Sequence, residues 1–367
     1  FTVDQPLRRL GFCCCVATQE SRPTERQFHN RLFPLEAFSP RDLDCRPQGL
    51  RSNPHSAISR SDFMSVSLQH YAEFLQRIGH TVREAGGLYW TNTHRGVYSS
   101  FPYHRGIDAR TVDLSQVLGR DGLVARFGCP VEQGIESFRI TCDDANYDFP
   151  ILRSRTRTQV RRGLEACRVE RVDFQLLKKL AIPLNADTLV RQGRKVPSDL
   201  AEYWTRYYAN AAKTEGAETW AAFVGDQLAA YLISFTIEDV ANMLILRSSL
   251  QFLDSFPNNA LVFRFLHERM RSDEVRQVCY GYESIQADLE SLDQFKTGMG
   301  FRKIPVGQRI ALAGWLKPLV NRFTVPMAQK ILRRLGNGEN SAKLQGILKW
   351  YQQQPVLAGE PEIARAA

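Results

Sequence analysis

The segment from Val275 to Val306 constrains the fold more than any other part of the chain, because it reads as strand, loop, helix, glycine exit and strand without a break. An apolar and aromatic run that includes Tyr280 and Tyr282 predicts the first strand. Apolar residues at three- and four-residue spacing then predict a helix. These helical positions are Leu289, Leu292, Phe295 and Met299. Gly300 stands where a glycine commonly ends a helix, and the whole order predicts a mixed α/β fold.

The segment from 198 to 313 predicts one complete unit of such a fold. A helix over 199–214 precedes three alternating apolar strands, with turns at Gly225-Asp226 and Glu238-Asp239. Further elements follow in the order helix, strand, helix, strand, over 260–271, 275–280, 289–299 and 301–306. We expect Gln308 to Ala313 to pair as a separate last strand.

The remaining segments give a predicted organisation in five parts. Residues 1–60 are rich in Arg, Pro and Ser and predict an irregular extension. Residues 61–152 predict a helix, an aromatic hairpin with its turn near His94 to Gly96, and further short strands. A basic linker helix and strand are expected over 153–197, the complete unit over 198–313, and a basic amphipathic helical tail over 314–367.

Composition excludes several classes of protein. With 43% hydrophobic and 24% charged residues, the chain resembles ordinary globular proteins, and no apolar run approaches the roughly 18 residues of a membrane span. Cys13 to Cys15 are consecutive and the other five cysteines are scattered, which predicts a reducing cytoplasm rather than a disulfide framework. No Cys/His spacing indicates a metal site. The first residue is Phe1, which indicates a fragment or an uncertain start.

The net charge of +9 is concentrated in two segments, 153–171 and 317–349. A basic patch attracts anions of many kinds, so a phosphate-bearing ligand, an RNA and an anionic lipid surface all remain open. No DNA partner is expected. The second segment also allows a peripheral position at the inner face of a membrane. Solvated helix faces are the alternative for both segments.

The phrase LDQFKTGMGF, from Leu292 to Phe301, resembles the end of the last core helix in the GNAT acyltransferase superfamily. Together with the order of elements, it makes residues 198–313 similar to a GNAT domain. The aromatic unit at 61–152 and the pair Phe295-Lys296 are similar to the FemAB-like branch, in which two GNAT-like units stand side by side. The resemblance therefore implies tandem GNAT-like units, the second complete and the first degenerate.

The same resemblance implies an acyltransferase that moves an acyl or aminoacyl group from a CoA thioester, or a similar activated donor, to an amine acceptor. The acceptor is expected to be a small molecule or a glycan-linked amine in bacterial-type cell-envelope or polysaccharide metabolism, with acyl-CoA as co-substrate. One alternative is an aminoacyl-tRNA-dependent peptidyltransferase of the FemX type, with tRNA as donor. Another is a catalytically silent scaffold that binds a membrane or a protein partner.

Acyl transfer to an amine needs a proton acceptor, a donor for the oxyanion and an acid for the leaving group. Glu283 follows the predicted strand and is expected to accept the amine proton, while Tyr282 or Ser284 donates a hydrogen bond to the carbonyl. The resemblance implies that Lys296, standing where many acetyltransferases have a tyrosine, stabilises the oxyanion. A solvated loop glutamate and a solvated helix lysine are the alternatives.

The loop from Leu250 to Asn259 stands where CoA-dependent relatives carry a glycine-rich loop whose N–H groups hold the pyrophosphate. It contains no glycine. Ser255, Asn258 and Asn259 are the predicted contacts to a donor phosphate, and simple helix capping by one of the asparagines is the alternative.

Four residues are the predicted contacts to the substrate. Three lie on the basic helix, and the fourth lies in the segment that resembles the FemAB-like branch. The basic helix is expected to clamp a substrate phosphate through the planar guanidinium groups of Arg157, Arg161 and Arg162. Surface ion pairs are the alternative for these arginines. Phe295 is assigned to the substrate because it belongs to the pair that resembles the FemAB-like branch.

Overall fold

The computed structural model describes residues 60–119, 121–191, 193, 195–283, 290–320, 324–327, 330 and 339–358. The helices discussed below are α1 (Arg60–Arg77), α2 (Ser115–Leu118), α3 (Ser154–Ala166), α4 (Phe174–Leu180), α5 (Ile182–Arg191), α6 (Leu200–Ala211), α7 (Pro257–Arg269), α8 (Glu290–Gly298) and α9 (Glu339–Gln353). The strands are β1 (Val82–Ala85), β2 (Leu88–His94), β3 (Val97–Phe101), β4 (Val124–Cys129), β5 (Ile135–Cys142), β6 (Arg168–Val172), β7 (Ala217–Val224), β8 (Gln227–Ile237), β9 (Val240–Ser248), β10 (Gln277–Tyr282) and β11 (Arg302–Leu312).

The strands join in one mixed sheet in the order β1-β2-β3-β4-β11-β5-β10-β9-β8-β7-β6. Strand β3 runs parallel to β4, and β9 runs parallel to β10; the other neighbours are antiparallel. Strands β7, β8 and β9 form the predicted meander, with turns at the predicted positions. The mixed α/β class expected from the sequence is therefore confirmed.

The course of the chain through this sheet links the two predicted units. Strand β5 belongs to the first predicted unit, yet it lies between β10 and β11 of the second. Its Arg139 stands opposite Tyr282 on one side and opposite Ile304 on the other. The two segments therefore share one sheet, and the five-part division given above stays a prediction.

Helices cover both faces of the β7–β10 half of the sheet. On one side, called the α7 face, α3 and α7 pack with Val160, Leu261 and Phe265 against strand residues such as Tyr280. On the other, called the α6 face, α1, α4, α5 and α6 bury an aromatic cluster. Its largest members include Phe74, Trp204, Tyr208, Tyr231 and Phe235. Burial of each such side chain stabilises the fold by roughly 1.5–3 kcal/mol.

Helix α7 is held close to α3 by one glycine. A Cβ atom at Gly163 would lie 2.8 Å from the carbonyl oxygen of Phe256 and 3.0 Å from the Cβ of Ala260. Helix α7 begins at Pro257, a residue suited to a first turn because it has no N–H group to leave unpaired. The start of α7 is thus fixed against α3 and against the end of β9.

The C-terminal segment completes the other half of the sheet. Helix α9 packs Ile347 and Tyr351 against Ile310 of β11 and its neighbours. The side-chain amide of Gln354 donates to the carbonyl of Ile310 and accepts from its N–H, both at 2.8 Å. Pairing of β11 with β5 ends at Gln308, so Gln354 satisfies a backbone edge that no strand covers.

One prediction about the elements is wrong, and two helices were not predicted. The predicted pair of strands, 301–306 and 308–313, is wrong, because β11 is one strand over Arg302–Leu312. Gly307 makes no turn there; a Cβ atom would collide with the carbonyl oxygen of Pro130, so the glycine serves a close approach. Between β6 and α6 the chain also forms α4 and α5, which the sequence interpretation did not include. No helix of the described residues is both long and apolar enough to cross a membrane.

Candidate active site

The sheet opens between its two parallel central strands. Strands β9 and β10 pair only where Val240 to Asn242 face Gln277 to Cys279. Beyond that point β9 stays with β8 as far as Ser248, and β10 stays with β5. The resulting opening, called the wedge, lies at the carboxyl ends of the two parallel strands and beside the start of α7. Ligand sites in α/β proteins commonly occupy such a position.

A bulge in β10 divides the residues at the wedge between the two faces of the sheet. The register with β5 shifts between Cys279 and Gly281. Tyr280 belongs to the α7 face, whereas the ring of Tyr282 packs edge-on against Tyr103, 5.2 Å away, whose ring packs against the α6 face. Bulges re-aim side chains in this way. Tyr280 and Tyr282, two positions apart in sequence, therefore lie on opposite faces of the sheet.

Lys296 is buried on the α7 face. It is 6% exposed, and its Nζ lies 4.8 Å from the centre of the Tyr280 ring. The Tyr280 hydroxyl is buried and has no hydrogen-bond partner among the residues that the structure describes. Burial raises the pKa of Tyr280, so the phenol stays neutral. The alternative of a solvated helix lysine is wrong, and a cation–π contact to a buried ring is what the structure shows. Phe295, half-buried, packs against the same cluster.

Glu283 is held by a polar network on the opposite side of β10. Its carboxylate accepts a hydrogen bond from the Ser137 hydroxyl at 3.0 Å, and the amide of Gln308 donates to that hydroxyl at 2.6 Å. Arg126 donates to the backbone carbonyl of Glu283 at 2.9 Å and to the side chain of Gln308 at 2.7 Å. Glu283 is therefore a partly buried residue tied to β4, β5 and β11, not a solvated loop residue.

Of the two hydroxyl groups predicted to polarise the carbonyl, the structure describes only that of Tyr282. Burial raises the pKa of Tyr282, so its phenol remains a hydrogen-bond donor at neutral pH. Its oxygen lies close to Gly128, where a Cβ atom would meet it. Ser284, the other predicted donor, lies outside the described residues.

A buried arginine at the end of β9 was missed by the sequence interpretation. Arg247 is 6% exposed, stands opposite Tyr231 and donates to the carbonyl of Leu246 at 3.1 Å. The Tyr231 hydroxyl in turn belongs to a closed ring of hydrogen bonds with Asn185 and Tyr208, at 2.5, 2.9 and 3.0 Å. Burial raises the pKa of Tyr231 to about 12. A signal was available in the sequence, because arginine is seldom buried and Arg247 stands in an otherwise apolar strand.

Asn258 and Asn259, two of the three predicted phosphate contacts, face inward at the start of α7, whereas Ser255 is half-buried. Asn258 donates to the Ser248 hydroxyl at 3.1 Å, and Asn259 donates to Gln159 at 3.4 Å. Both amide oxygens are buried and unpaired in the described part of the chain. The N-cap residue is Phe256, which makes no side-chain cap bond, so capping by an asparagine is wrong.

This loop does not reproduce a glycine-rich phosphate cradle. Residues Leu250–Ser255 form a 3-10 turn without glycine, and Pro257 has no N–H group at the first helical position. The backbone carbonyl of Ser255 accepts from the thiol of Cys167 at 3.6 Å. A donor phosphate would therefore meet side chains here rather than a nest of backbone donors.

Two of the three predicted arginines of α3 contact Phe149, and the third is exposed. Arg157 donates to the carbonyls of Phe149 and Leu152, both at 3.1 Å, and so holds the turn before the helix. The guanidinium of Arg161 lies 5.5 Å from the ring centre of Phe149, and Arg162 is exposed. Their role in substrate binding stays a prediction.

Other candidate sites have weaker chemistry. Among the described residues no group of three or more His, Cys, Asp or Glu side chains is placed to hold a metal ion. A depression of about 250 Å³ lies at the β6 edge of the sheet, bounded by Arg171, Phe174 and Glu218. Its carboxylate Glu218 is already paired with Arg269 at 3.2 Å. The wedge, with its buried cations and unpaired buried polar atoms, is the stronger candidate.

Neither a protein-family model nor a curated protein matches the chain. Solved structures do resemble it. FemX is 13% identical over 75% of this chain and 99% of its own, with a TM-score of 0.49. L-PGS from Bacillus licheniformis is 12% identical over 66% and 86%, with a TM-score of 0.40. A tandem GNAT protein from the clavulanic acid biosynthesis pathway is 12% identical over 62% and 78%, with a TM-score of 0.38.

Sequence identities of 12–13% with TM-scores of 0.38–0.49 give no information about substrates. The element order is observed directly: α6, then β7 to β9, α7, β10, α8 and β11. It is the order of the GNAT-like unit predicted from the sequence, and the wedge lies between the two parallel strands β9 and β10 of that unit. The observed fold thus contains the element order of a GNAT-like unit.

Proposed function

We propose that this chain is a transferase that moves an acyl or aminoacyl group from an activated ester or thioester to an amine. The wedge is the observation that carries the proposal. The two parallel strands separate there beside buried polar groups, among them Lys296, the Tyr280 hydroxyl and the amide of Asn258. Buried surroundings of this kind strengthen electrostatic interactions with a developing charge.

The chemistry assigns one role to each predicted residue. The amine nitrogen attacks the carbonyl carbon, the ester or thioester bond breaks, and the leaving group takes up a proton. Lys296 stabilises the negative charge that develops on the carbonyl oxygen. Glu283 and Tyr282 lie on the opposite side of β10 from Lys296, so their proposed roles as proton acceptor and hydrogen-bond donor require a substrate that extends across this strand at the wedge. Ser137 and Arg126 position Glu283 through the network that holds it.

The donor is either an acyl-CoA or an aminoacyl-tRNA. One observation on the surface of α3 supports the aminoacyl-tRNA as a candidate. Arg153, Arg155 and Arg162 are exposed on or beside α3, and no carboxylate of the described residues lies within ion-pair distance of them. Unpaired exposed arginines are suited to a phosphate backbone. The glycine-free loop before α7 gives no matching support for a CoA pyrophosphate. The acceptor is proposed to be a small-molecule or glycan-linked amine, and the setting cytoplasmic.

A thermal-shift panel tests the donor class. The full chain is mixed with CoA, acetyl-CoA, longer acyl-CoAs or aminoacyl-tRNA. The donor that binds the folded state raises the melting temperature by mass action. Stabilisation by aminoacyl-tRNA that weakens steeply with salt supports the tRNA-dependent reaction. A chain that none of these stabilises is better described as a catalytically silent scaffold.

Replacement of Lys296 tests the site. Lys296→Met keeps the length and apolar part of the side chain and removes its charge, so we expect turnover with the donor found above to fall about 100-fold or more. Lys303 provides a matched control, because its Nζ lies 5.4 Å from the ring of Phe138 on an exposed part of β11. Lys303→Met is expected to leave turnover unchanged. Full activity of Lys296→Met would remove Lys296 from the mechanism.

A further inference from the structure

Exposed apolar side chains are concentrated near the C-terminal end of the described chain. Ten large hydrophobic side chains are strongly exposed among the described residues, and five of them lie between Trp315 and Val356. The three most exposed of these are Trp315 at 59%, Leu319 at 58% and Met327 at 62%. Single exposed hydrophobic residues are normal on a protein surface, but a local concentration marks an interaction site.

These side chains stand on segments that are anchored to the fold. Leu316 and Val320 pack inward against the cluster formed with β4, β11 and α9. Trp315 and Leu319, each one position earlier, are left outside. The hydroxyl of Thr324 donates to the carbonyl of Leu319 at 2.6 Å, which joins the next helical turn to the same surface. That turn buries Val325 and exposes Met327. The outward apolar residues are therefore presented by fixed backbone.

The charged side chains described in this segment have one sign. Three lysines belong to the described side chains between Trp315 and Ala358, at positions 317, 330 and 349, and no carboxylate does. Lys330 and Lys349 are exposed, and Lys317 is half-exposed between Trp315 and Leu319. The whole chain carries a net charge of +9. Exposed Trp and Leu interleaved with lysines suit the boundary between anionic headgroups and acyl chains.

We propose that Trp315, Leu319 and Met327, with Lys317 and Lys330, form a surface that binds an anionic lipid bilayer peripherally. The apolar side chains enter the interface between headgroups and acyl chains, and the lysines remain at the headgroups. The surface lies on the β4 and β11 half of the sheet, whereas the wedge lies between β9 and β10. Membrane binding is therefore independent of the proposed transfer reaction, and either proposal can fail without the other.

Co-sedimentation with vesicles tests the proposal. The full chain is expected to sediment with vesicles made of equal amounts of phosphatidylcholine and phosphatidylglycerol, and to remain in solution with phosphatidylcholine alone. The bound fraction should fall as salt is raised, because surface attraction to anionic lipids is screened. Equal binding to both kinds of vesicle, or binding to neither, overturns the proposal.

Matched variants separate the two contributions. The double variant Trp315→Ala/Leu319→Ala should lower the partition coefficient at least about tenfold, since each buried CH₂ group contributes roughly 0.8 kcal/mol. Val190→Ala, at a 60% exposed position on α5, should leave it unchanged. Lys317→Glu should weaken binding about tenfold, whereas Lys213→Glu, an exposed control after α6, should reduce it much less. If both members of a pair behave alike, the assignment of this surface is wrong.

Two further measurements distinguish a change at the surface from unfolding and from self-association. Melting temperatures of the variants show whether they fold, and Lys317→Glu alters no packed apolar side chain, so it tests the surface even where the double variant unfolds. Sedimentation velocity should show a monomer. A dimer that dissociates in the Trp315→Ala/Leu319→Ala variant would mean that a second copy of the chain covers this surface, which overturns membrane binding.

Discussion

Two glycines of the β7–β9 meander share a backbone conformation but differ in their surroundings. Gly216 has φ 76 and Gly225 has φ 56, both in the left-handed region that disfavours other residues. A Cβ atom at Gly216 would collide with the carbonyl oxygen of Thr236, whereas one at Gly225 would meet nothing within 4 Å. At Gly216 the backbone strain and the collision add together.

We expect Gly216→Ala to lower the free energy of unfolding by about 3 kcal/mol, because it combines left-handed strain with overpacking. Gly225→Ala should cost about 1 kcal/mol, from strain alone. Urea denaturation of the two variants and the parent chain measures both values. Equal losses would show that the close approach to Thr236 has no energetic weight.

The Tyr280 and Lys296 pair shows at the same scale how burial changes the meaning of a residue. A lysine in a nine-residue helix, α8, is usually solvated, but here it stands over a buried ring. A buried charge is costly unless it interacts with a polar partner or a ring face. Lys296→Met therefore tests chemistry more cleanly than an alanine replacement, which would also leave a cavity.

At the scale of single elements, the segment that follows α9 acts as a substitute strand. Strand β11 has β5 as its neighbour only up to Gln308, and the next backbone groups would be unpaired inside the protein. The amide of Gln354, 2% exposed, mimics a peptide group and closes both hydrogen bonds to Ile310. The carbonyl of Pro355 accepts from the buried Arg309 at 3.0 Å. The end of the described chain is thus part of the sheet.

Gln354→Ala should lower the free energy of unfolding by about 2 kcal/mol, because it leaves a buried N–H and a buried carbonyl of Ile310 without partners. The adjacent Gln353 is exposed and offers the control. Gln353→Ala should change stability by no more than about 0.5 kcal/mol. Thermal or urea unfolding of both variants decides the matter, and similar values would contradict the role given to Gln354.

The bulge of β10 is the second element that matters for function. A regular strand would place Tyr280 and Tyr282 on one face, since side chains alternate with a period of two. The shift between Cys279 and Gly281 separates them. Gly281, with φ 110, takes a backbone conformation that few other residues adopt.

At the scale of the whole molecule, a buried polar contact joins distant parts of the sheet. The imidazole of His104, after β3, lies 2.9 Å from the carboxylate of Glu238 in the β8–β9 turn, with side chains 8% and 5% exposed. Arg105 also pairs with Glu238, and Arg139 donates to the carbonyl of His104 at 2.8 Å. The other imidazole nitrogen, Nδ1, is buried without a partner in the described structure.

This contact predicts a pH dependence of stability. Burial lowers the pKa of His104, and the nearby Glu238 offsets that effect only in part, while Arg139 and Arg105 add to it. The folded chain therefore favours the neutral imidazole. As pH falls below the ordinary histidine value of about 6.5, the unfolded chain takes up a proton that the folded chain resists, so stability is lost.

We expect the free energy of unfolding to fall more steeply between about pH 7 and about pH 5 in the parent chain than in His104→Gln. Glutamine keeps a donor for Glu238 and does not titrate. Titratable groups that do not interact with His104 contribute equally to both proteins and cancel in the difference. Urea denaturation across this range provides the measurement, and parallel curves would contradict the prediction.

Much of the fold could be predicted from local sequence because its signals are local. The alternating strands β7, β8 and β9, the helix before Gly300 and the turns at Gly225 and Glu238 follow from periodicity and turn chemistry. The order of these elements, taken together with the phrase LDQFKTGMGF, indicated a GNAT-like unit. Glu283 could be named as a candidate from its place after a strand, and Lys296 from the resemblance of the pair Phe295-Lys296 to the FemAB-like branch.

Only the tertiary structure decided which strands meet and which side chains are buried. The insertion of β5 between β10 and β11 joins residues more than a hundred positions apart, and local patterns carry no information on such partners. The same long-range contacts buried Lys296, tied Glu283 to Ser137 and brought Arg247 to the wedge. A side chain's chemistry depends on its burial and neighbours, and those are set by packing across the whole sheet.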